Sequence, residues 1–144
     1  ARADGDVWIN ERNGDMNIES VFSKTADIHL TAEGSIVDAL NHDFVKVQGQ
    51  RIFLNAGDDI GQDGDRYLET EAVGVNLPGT FGNGTVTATA GGSIWLADTE
   101  GNMNVHTVQG GGHVELKAVV SILDATDGAD GAPYASRLLA QLSR

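Results

Sequence analysis

The residues best suited to chemistry are four aspartates in one glycine-rich stretch, NAGDDIGQDGDRYLETE at 55 to 71. They are Asp58, Asp59, Asp63 and Asp65. Carboxylate oxygens on a turn-rich loop are the ligands that Ca²⁺ prefers, so this stretch predicts a calcium site. GQDGDRYLE, at 61 to 69, matches the calcium-binding nonapeptide of secreted repeat proteins only loosely, because Gln62 and Arg66 replace its Gly and Asp. A solvated acidic loop is therefore the competing interpretation.

A second cluster of Asp and Gly, DATDGADGAP at 124 to 133, contains Asp124, Asp127 and Asp130. The first of these follows SIL, as Asp38 follows SIV earlier in the chain. Aspartate side chains often close turns by accepting hydrogen bonds from nearby backbone N–H groups. We therefore interpret these aspartates as turn residues, with metal binding as the alternative.

Two tryptophans, Trp8 and Trp95, stand between apolar neighbours in the strand-like phrases VWI and IWL. Alternation places the neighbours inside and the indole rings outside. Exposed aromatic rings can stack on sugars or anchor a partner protein, so both residues are candidate glycan or partner contacts. Coverage of the sheet against a loop or a neighbouring molecule is the alternative explanation.

Other side chains give little sign of catalysis. His29, His42, His106 and His113 lack metal-ligand spacing, no cysteine is present, and nucleophile-elbow and phosphate-loop motifs are missing. Carboxylates are plentiful, but no recurrent pair suggests the two-carboxylate chemistry of glycoside hydrolysis. The sequence thus predicts no enzyme and no cofactor, calcium excepted.

Composition limits the partners. The chain has 144 residues with a net charge of -12, which disfavours nucleic acid and anionic lipid. No apolar run is long enough to span a bilayer, so no membrane insertion is expected. Nineteen glycines and few aromatic residues favour many turns over one bulky core.

One phrase occurs twice at long range. GDVWINERNGDMNIESV at 5 to 21 returns as GSIWLADTEGNMNVHTV at 92 to 108, and SIVDA returns as SILDA, so that 5 to 39 recurs at 92 to 125. Fixed-period repeats of this kind are typical of solenoids. We predict one domain over 1–144 with a repeat unit of 86 to 87 residues. We expect each unit to form four turns of a coil, which would place the two tryptophans about 19 Å apart along one face.

A shorter repeat lies inside the long one. IHLTAEGSI, IFLNAGDDI, VTATAGGSI and VELKAVVSI share apolar residues at places one, three and nine. Spacing of two predicts short strands with one buried face, and the small residues that follow predict a bend. The predicted strands begin near Val7, Met16, Ile28, Ile36, Val45, Ile52, Ile60, Leu68, Val73, Val86, Ile94, Met103, Val114 and Ile122. A coil with three short strands per turn and six to seven turns explains this pattern. Its predicted inner residues include Ile94, Leu96, Met103 and Val105.

The combination of GDVWI, GDMNI and DIHLTAEGSIVDA with RIFLNAGDDIG and TVTATAGGSIWLADTEGNMNV resembles repeats of filamentous-haemagglutinin-like proteins and other giant bacterial surface or secreted repeat proteins. The resemblance covers residues 4 to 125. It implies an all-β, right-handed parallel β-helix at the bacterial surface or outside the cell, acting as a rigid stalk or self-assembling filament. Self-association, neighbouring repeats, and a cell-surface glycan or protein are the implied partners.

Two other functions remain open: a calcium-stabilised secreted repeat module, and a carbohydrate-active enzyme or polysaccharide-binding module on the same fold. The final stretch, 133 to 144, departs from the repeat. Its leucine spacing predicts a short capping helix, whereas its register with the repeat predicts the next strand.

Overall fold

A computed structural model describes residues 1–74 and 84–125. This part of the chain is an all-β parallel solenoid without a helix, which confirms the predicted fold class. The strands are β1 (Arg2–Ala3), β2 (Val7–Glu11), β3 (Met16–Ile18), β4 (Val21–Ser23), β5 (Ile28–Ala32), β6 (Ile36–Asp38), β7 (Val47–Gly49), β8 (Ile52–Ala56), β9 (Leu68–Ala72), β10 (Val86–Ala90), β11 (Ile94–Asp98), β12 (Met103–Gly110), β13 (Val114–Lys117) and β14 (Ile122–Asp124). Within residues 1–74 and 84–125, no helix has the length and apolar character to cross a membrane.

The strands form three columns around the coil. Sheet I has the order β1-β4-β7-β9-β11-β13, sheet II has the order β14-β12-β10-β8-β5-β2, and sheet III contains β3 and β6. Isolated bridges extend sheet III from Ile36 to Ile60 and then to Ile94. The described residues make about five turns, which roughly matches the six to seven predicted for the whole chain.

Identical spacing in successive turns produces the core. Ile28, Ile52 and Val86 stand in register in sheet II, and all three are fully buried. The ladder of Leu30, Leu54 and Ala88 and the ladder of Ala32, Ala56 and Ala90 follow it at intervals of two residues. Apolar burial on one face of each strand is the main stabilising term for such a coil.

Most predicted strand starts are confirmed. The first residues of β2, β3, β5, β6, β8 to β14 are those expected from the apolar spacing. The predicted strand at Val45 begins at Val47, Ile60 makes only bridges, and Val73 lies beyond the end of β9. The predicted inner residues Ile94, Leu96, Met103 and Val105 are fully buried.

The long repeat is preserved as a pairing pattern. Val7 pairs with Ile28 as Ile94 pairs with Val114. Likewise, β3 pairs with β6 in the same register as β12 pairs with β14. The two copies, however, lie on different faces, because β2 belongs to sheet II and β11 belongs to sheet I.

The prediction of four full turns per long repeat is therefore wrong. Ile94 stands three steps above Met16 in the column that runs through Ile36 and Ile60. The second copy is thus displaced by three turns and one further face. Trp8 and Trp95 consequently project from different sheets, not along one line.

At one corner, side chains bond the backbone of the next turn in an unbroken series. Oδ1 of Asp15 accepts from the N–H of Ser35 at 2.8 Å, and Oγ of Ser35 accepts from the N–H of Asp59 at 3.1 Å. Oδ1 of Asp59 then accepts from Ser93 at 2.7 Å, and Oγ of Ser93 accepts from His113 at 3.0 Å. This corner ladder satisfies backbone donors where the strands are interrupted.

Three glycines stack at a neighbouring corner because the backbones of successive turns approach closely there. A Cβ added to Gly57 would lie 1.9 Å from the carbonyl oxygen of Glu33, and one added to Gly91 would lie 2.1 Å from that of Gly57. A Cβ on Gly111 would meet the Gly91 oxygen at 2.2 Å. Any side chain here would push two turns apart.

We predict that Gly91→Ala lowers the free energy of unfolding by about 2 to 3 kcal/mol, the usual cost of overpacking. Gly5→Ala is the matched control, since no atom lies within 4 Å of its added Cβ, and it should change stability by less than about 0.5 kcal/mol. Urea unfolding followed by circular dichroism measures both. Equal stability of the two variants would contradict the close stacking of these turns.

The C-terminal prediction, a capping helix or a further strand at 133 to 144, lies outside the described residues, as do Asp127 and Asp130. The turn-closing role expected of Asp38 is confirmed, because its Oδ1 accepts from Leu40 N–H at 2.8 Å and its Oδ2 accepts from His42 N–H at 3.2 Å. Asp124 is buried at the end of β14.

Candidate functional site

The four aspartates of the acidic loop have separate roles. Asp59 belongs to the corner ladder, and Asp58 is exposed while its backbone carbonyl accepts from Gly92. Asp63 bonds the next N–H, that of Gly64, at 2.8 Å. Asp65 has a positive φ of 63° and faces Lys117 at 3.8 Å.

Calcium binding therefore gains no support from this geometry. Among residues 1–74 and 84–125, no group of three or more acidic or histidine side chains is arranged to hold a metal ion. The calcium site stays a prediction, and the structural role of Asp59 is now the better-founded explanation for its position.

Asp59→Ala should lower the free energy of unfolding by about 1 to 3 kcal/mol, because the N–H of Ser93 loses its acceptor. Asp58→Ala, its exposed neighbour, should have almost no effect. Thermal unfolding with millimolar calcium and with chelator checks this pair. A stabilisation of the wild type by calcium that both variants lose would show instead that the aspartates are metal ligands.

Trp95 lies within a polar network on the outer side of sheet I. It pairs with Glu115, which accepts from the Tyr67 hydroxyl and contacts Nε2 of His113 at 3.0 Å. The hydrogen bond to Glu115 raises the pKa of Tyr67 to about 12. Lys117 lies 5.4 Å from the Tyr67 ring centroid. Trp95 is therefore half-buried among side chains of its own coil, and partner contact there stays a prediction.

Trp8 belongs to a stack of three rings on the outer side of sheet II. Its ring lies 3.6 Å from that of His29 with the planes at 2°, and His29 lies 4.5 Å from Phe53 with the planes at 3°. Register explains the stack, because the three residues are cross-strand neighbours in adjacent turns. Trp8 itself remains 71% exposed. We call these three residues the aromatic stack.

A shallow groove of about 310 Å³ runs beside the aromatic stack. Its other lining includes Thr31, Asn55 and Thr89, two residues further along each strand, with Thr87 beyond Phe53. Because outward side chains on one strand are about 6.6 Å apart, ring edges form one wall and hydroxyl or amide groups form the other. The groove is lined by residues of β2, β5, β8 and β10 and therefore extends along the coil axis.

The outward strand positions of sheet II carry no acidic side chain, and an ion pair borders this face: the guanidinium of Arg51, bound to Asp27, lies 5.7 Å from the centroid of the Phe53 ring. Outward positions of β2, β5, β8, β10 and β12 hold Trp, His, Phe, Asn, Thr and Gln, but no Asp or Glu. The chain carries 21 acidic residues, and sheet I places Glu71 and Glu115 on its strands. A neutral face with a groove can hold a neutral, hydroxyl-rich ligand through aromatic contact and hydrogen bonds.

Two further groups of titratable residues lie along sheet I. The first surrounds Lys46, whose side chain is completely buried. Its Nζ lies 3.6 Å from Oδ2 of Asp38 and 3.6 Å from Oε2 of Glu69. It also donates to the carbonyl oxygens of His42 at 2.7 Å and Phe44 at 2.5 Å.

The second group contains three carboxylates at the end of sheet I. Burial raises the pKa of Asp98 to about 6, although its Oδ1 accepts from the N–H of Glu100 at 3.0 Å. Burial also raises the pKa of Glu71, and the neighbouring charge of Glu100 and a hydrogen bond to it add to the effect. Between their unfolded and folded pKa values, Asp98 and Glu71 therefore keep a proton in the folded protein that they have released in the unfolded chain.

Stability should therefore fall as pH rises from about 4 to about 7, since the unfolded Asp has a pKa of about 3.9. We predict that Asp98→Asn is more stable than the wild type by about 1 to 3 kcal/mol at pH 7.5 and nearly equal to it at pH 4. Urea unfolding across this pH range measures the difference, with Asp58→Asn as the exposed control. A gain that is independent of pH would contradict an ionisation effect.

The sequence contained a signal for the aromatic stack that went unused. Trp8, His29 and Phe53 all occupy the second place of the aligned phrases VWI, IHL and IFL. Aligning outward positions as well as inward ones would have brought them together. Lys46 gave no such signal, because Glu69 lies one turn away and outward alternation predicts an exposed lysine.

Comparison with known proteins found no significant match: no family model, curated protein or solved structure is similar to this chain.

Proposed function

We propose that this chain is a rigid, adhesive segment of a large extracellular bacterial protein of the filamentous-haemagglutinin-like kind. Its coil acts as a stalk, and the outer face of sheet II contacts an extended, uncharged polysaccharide. The observation that carries the adhesive role is this neutral face, with its groove and aromatic stack, on a chain of net charge -12.

The stalk role rests on the stacking of turns. Ladders of buried apolar residues and backbone hydrogen bonds run through every described turn, so bending the coil would break several contacts together. Acidic side chains elsewhere on the surface keep such a rod soluble. Immunogold labelling of intact cells that make the protein tests the location, and labelling only after lysis would contradict it.

The recognition role rests on complementarity with a polymer. Adjacent turns lie about 4.8 Å apart, so an extended chain lying in the groove contacts the outward residues of several turns in succession. Since the ring faces within the stack cover each other, the groove offers ring edges and the free face of Trp8 for apolar contact. Thr31, Asn55 and Thr89 can exchange hydrogen bonds with sugar hydroxyls.

We expect binding to at least one polysaccharide in a panel of neutral and uronic-acid-containing polymers, measured as retardation in affinity electrophoresis. Trp8→Ala and Phe53→Ala should each weaken binding about tenfold, the equivalent of losing one good aromatic contact. Phe44→Ala is the matched control, because this ring is 74% exposed but lies outside the groove.

Retention by uronic-acid polymers alone would contradict the preference for neutral chains. An equal loss of binding in Phe44→Ala would show that the groove is not the contact surface. Absence of binding to every polymer in the panel would remove the adhesive role and leave the stalk role standing.

A further inference from the structure

The group around Lys46 has the composition of a self-linking site. A primary amine, a carboxylate held by two backbone N–H groups, and a second buried carboxylate meet at one point. Side-chain exposures are 0% for Lys46, 3% for Asp38 and 7% for Glu69, so water has little access. Neither the stalk nor the groove uses these residues.

We propose that Lys46 and Asp38 form an intramolecular amide bond, with Glu69 as the proton carrier. Nζ of Lys46 lies 3.6 Å from Oδ2 of Asp38, the oxygen that would leave as water, and backbone carbonyl oxygens hold the amine beside this carboxyl group. An amine fixed beside a carboxyl group in a dry site gains the large rate advantage of an intramolecular reaction.

Hydrogen bonds to two backbone carbonyl groups hold the amine in place. Two N–H groups of Nζ are directed at the carbonyl oxygens of His42 and Phe44. Once a third proton has left for Glu69 or for Nδ1 of His42, which lies 3.0 Å away, the lone pair is free to attack. Lysine readily serves as a nucleophile when its amine is buried.

Asp38 is the better electrophile of the two carboxyl groups. The N–H of Leu40 donates to its Oδ1 at 2.8 Å and the N–H of His42 donates to its Oδ2 at 3.2 Å. The Leu40 N–H can stabilise the negative charge that develops on Oδ1 when Nζ attacks Cγ, while the His42 N–H holds Oδ2, the oxygen that leaves as water. Oε2 of Glu69, by contrast, is buried and makes no hydrogen bond among the described residues.

Glu69 is suited to moving protons. Burial raises its pKa and the nearby Asp38 charge adds to this, while its backbone hydrogen bond and Lys46 oppose it.

The reaction balances: the ammonium and the carboxylate give a neutral amide and one water. Nζ keeps one of its three protons. Glu69 transfers the other two to Oδ2, which leaves as water. Replacing a buried ion pair by a neutral amide also removes the cost of keeping two charges out of water.

The intact mass of the purified, folded chain tests the proposal. We expect a mass lower than that of the sequence by one water, and a peptide joining Asp38 to Lys46 after protease digestion and tandem mass spectrometry. Lys46→Arg, which keeps the positive charge, and Glu69→Gln, which keeps the shape, should show their full sequence masses. Circular dichroism confirms that each variant is folded.

Succinimide formation at Asp-Gly pairs such as Asp63-Gly64 also removes one water, so location is decisive. Hydroxylamine opens a succinimide and leaves the amide intact. A folded wild-type chain with full mass, or water loss confined to Asp-Gly pairs, would overturn the proposal. A bond from Lys46 to Glu69 would overturn the roles given to the two carboxyl groups.

Discussion

The fold depends on each turn repeating the register of the turn before it. The N–H groups of Ile36, Ile60 and Ile94 each donate to a carbonyl oxygen one turn further on. In the corner ladder, backbone N–H groups donate in the opposite sense, to Asp and Ser side-chain oxygens of the turn before. A slip of one residue would reverse the side-chain direction of a whole strand. It would also leave the bonded corner donors unpaired. The side chains at the corner therefore fix a register that apolar burial alone would leave less specific.

This constraint decides where the chain can vary. Extra residues are accommodated at corners, where 39–45 and 61–67 leave the coil and return to the same columns. Both segments bring chemical groups to sheet I: the first encloses Lys46, and the second places Tyr67 against Glu115. The strands β2, β5, β8 and β10 of sheet II all have five residues, so a regular outer face is kept across these four strands. Varied chemistry and the regular groove thus lie on separate sides of one coil.

Sequence reasoning predicted what local spacing controls. Alternation in phrases such as IHLTA and IFLNA gave the strands, the buried residues and the parallel stacking. It failed on the position of the second repeat copy around the coil, because this position depends on the summed lengths of the corners between the strands, which the alternation of apolar residues does not encode. The same failure misplaced Trp95 relative to Trp8. Contacts between turns at Lys46 and Glu69 were invisible because no local pattern encodes them.

The displaced repeat also explains why one face became the neutral one. If the long unit covered a whole number of turns, both copies would present the same outward residues on the same sheet, and Trp95 would have extended the line of Trp8. Displacement by one face instead sets Trp95 beside Glu115 and His113, while threonines continue the line above Phe53. The outward side chains of sheet II therefore change from aromatic rings to hydroxyl groups along the coil axis. A polymer with both apolar and hydroxyl-rich surfaces can contact both parts of this face. The residues that line the groove therefore depend both on the repeat sequence and on the face of the coil where its second copy lies.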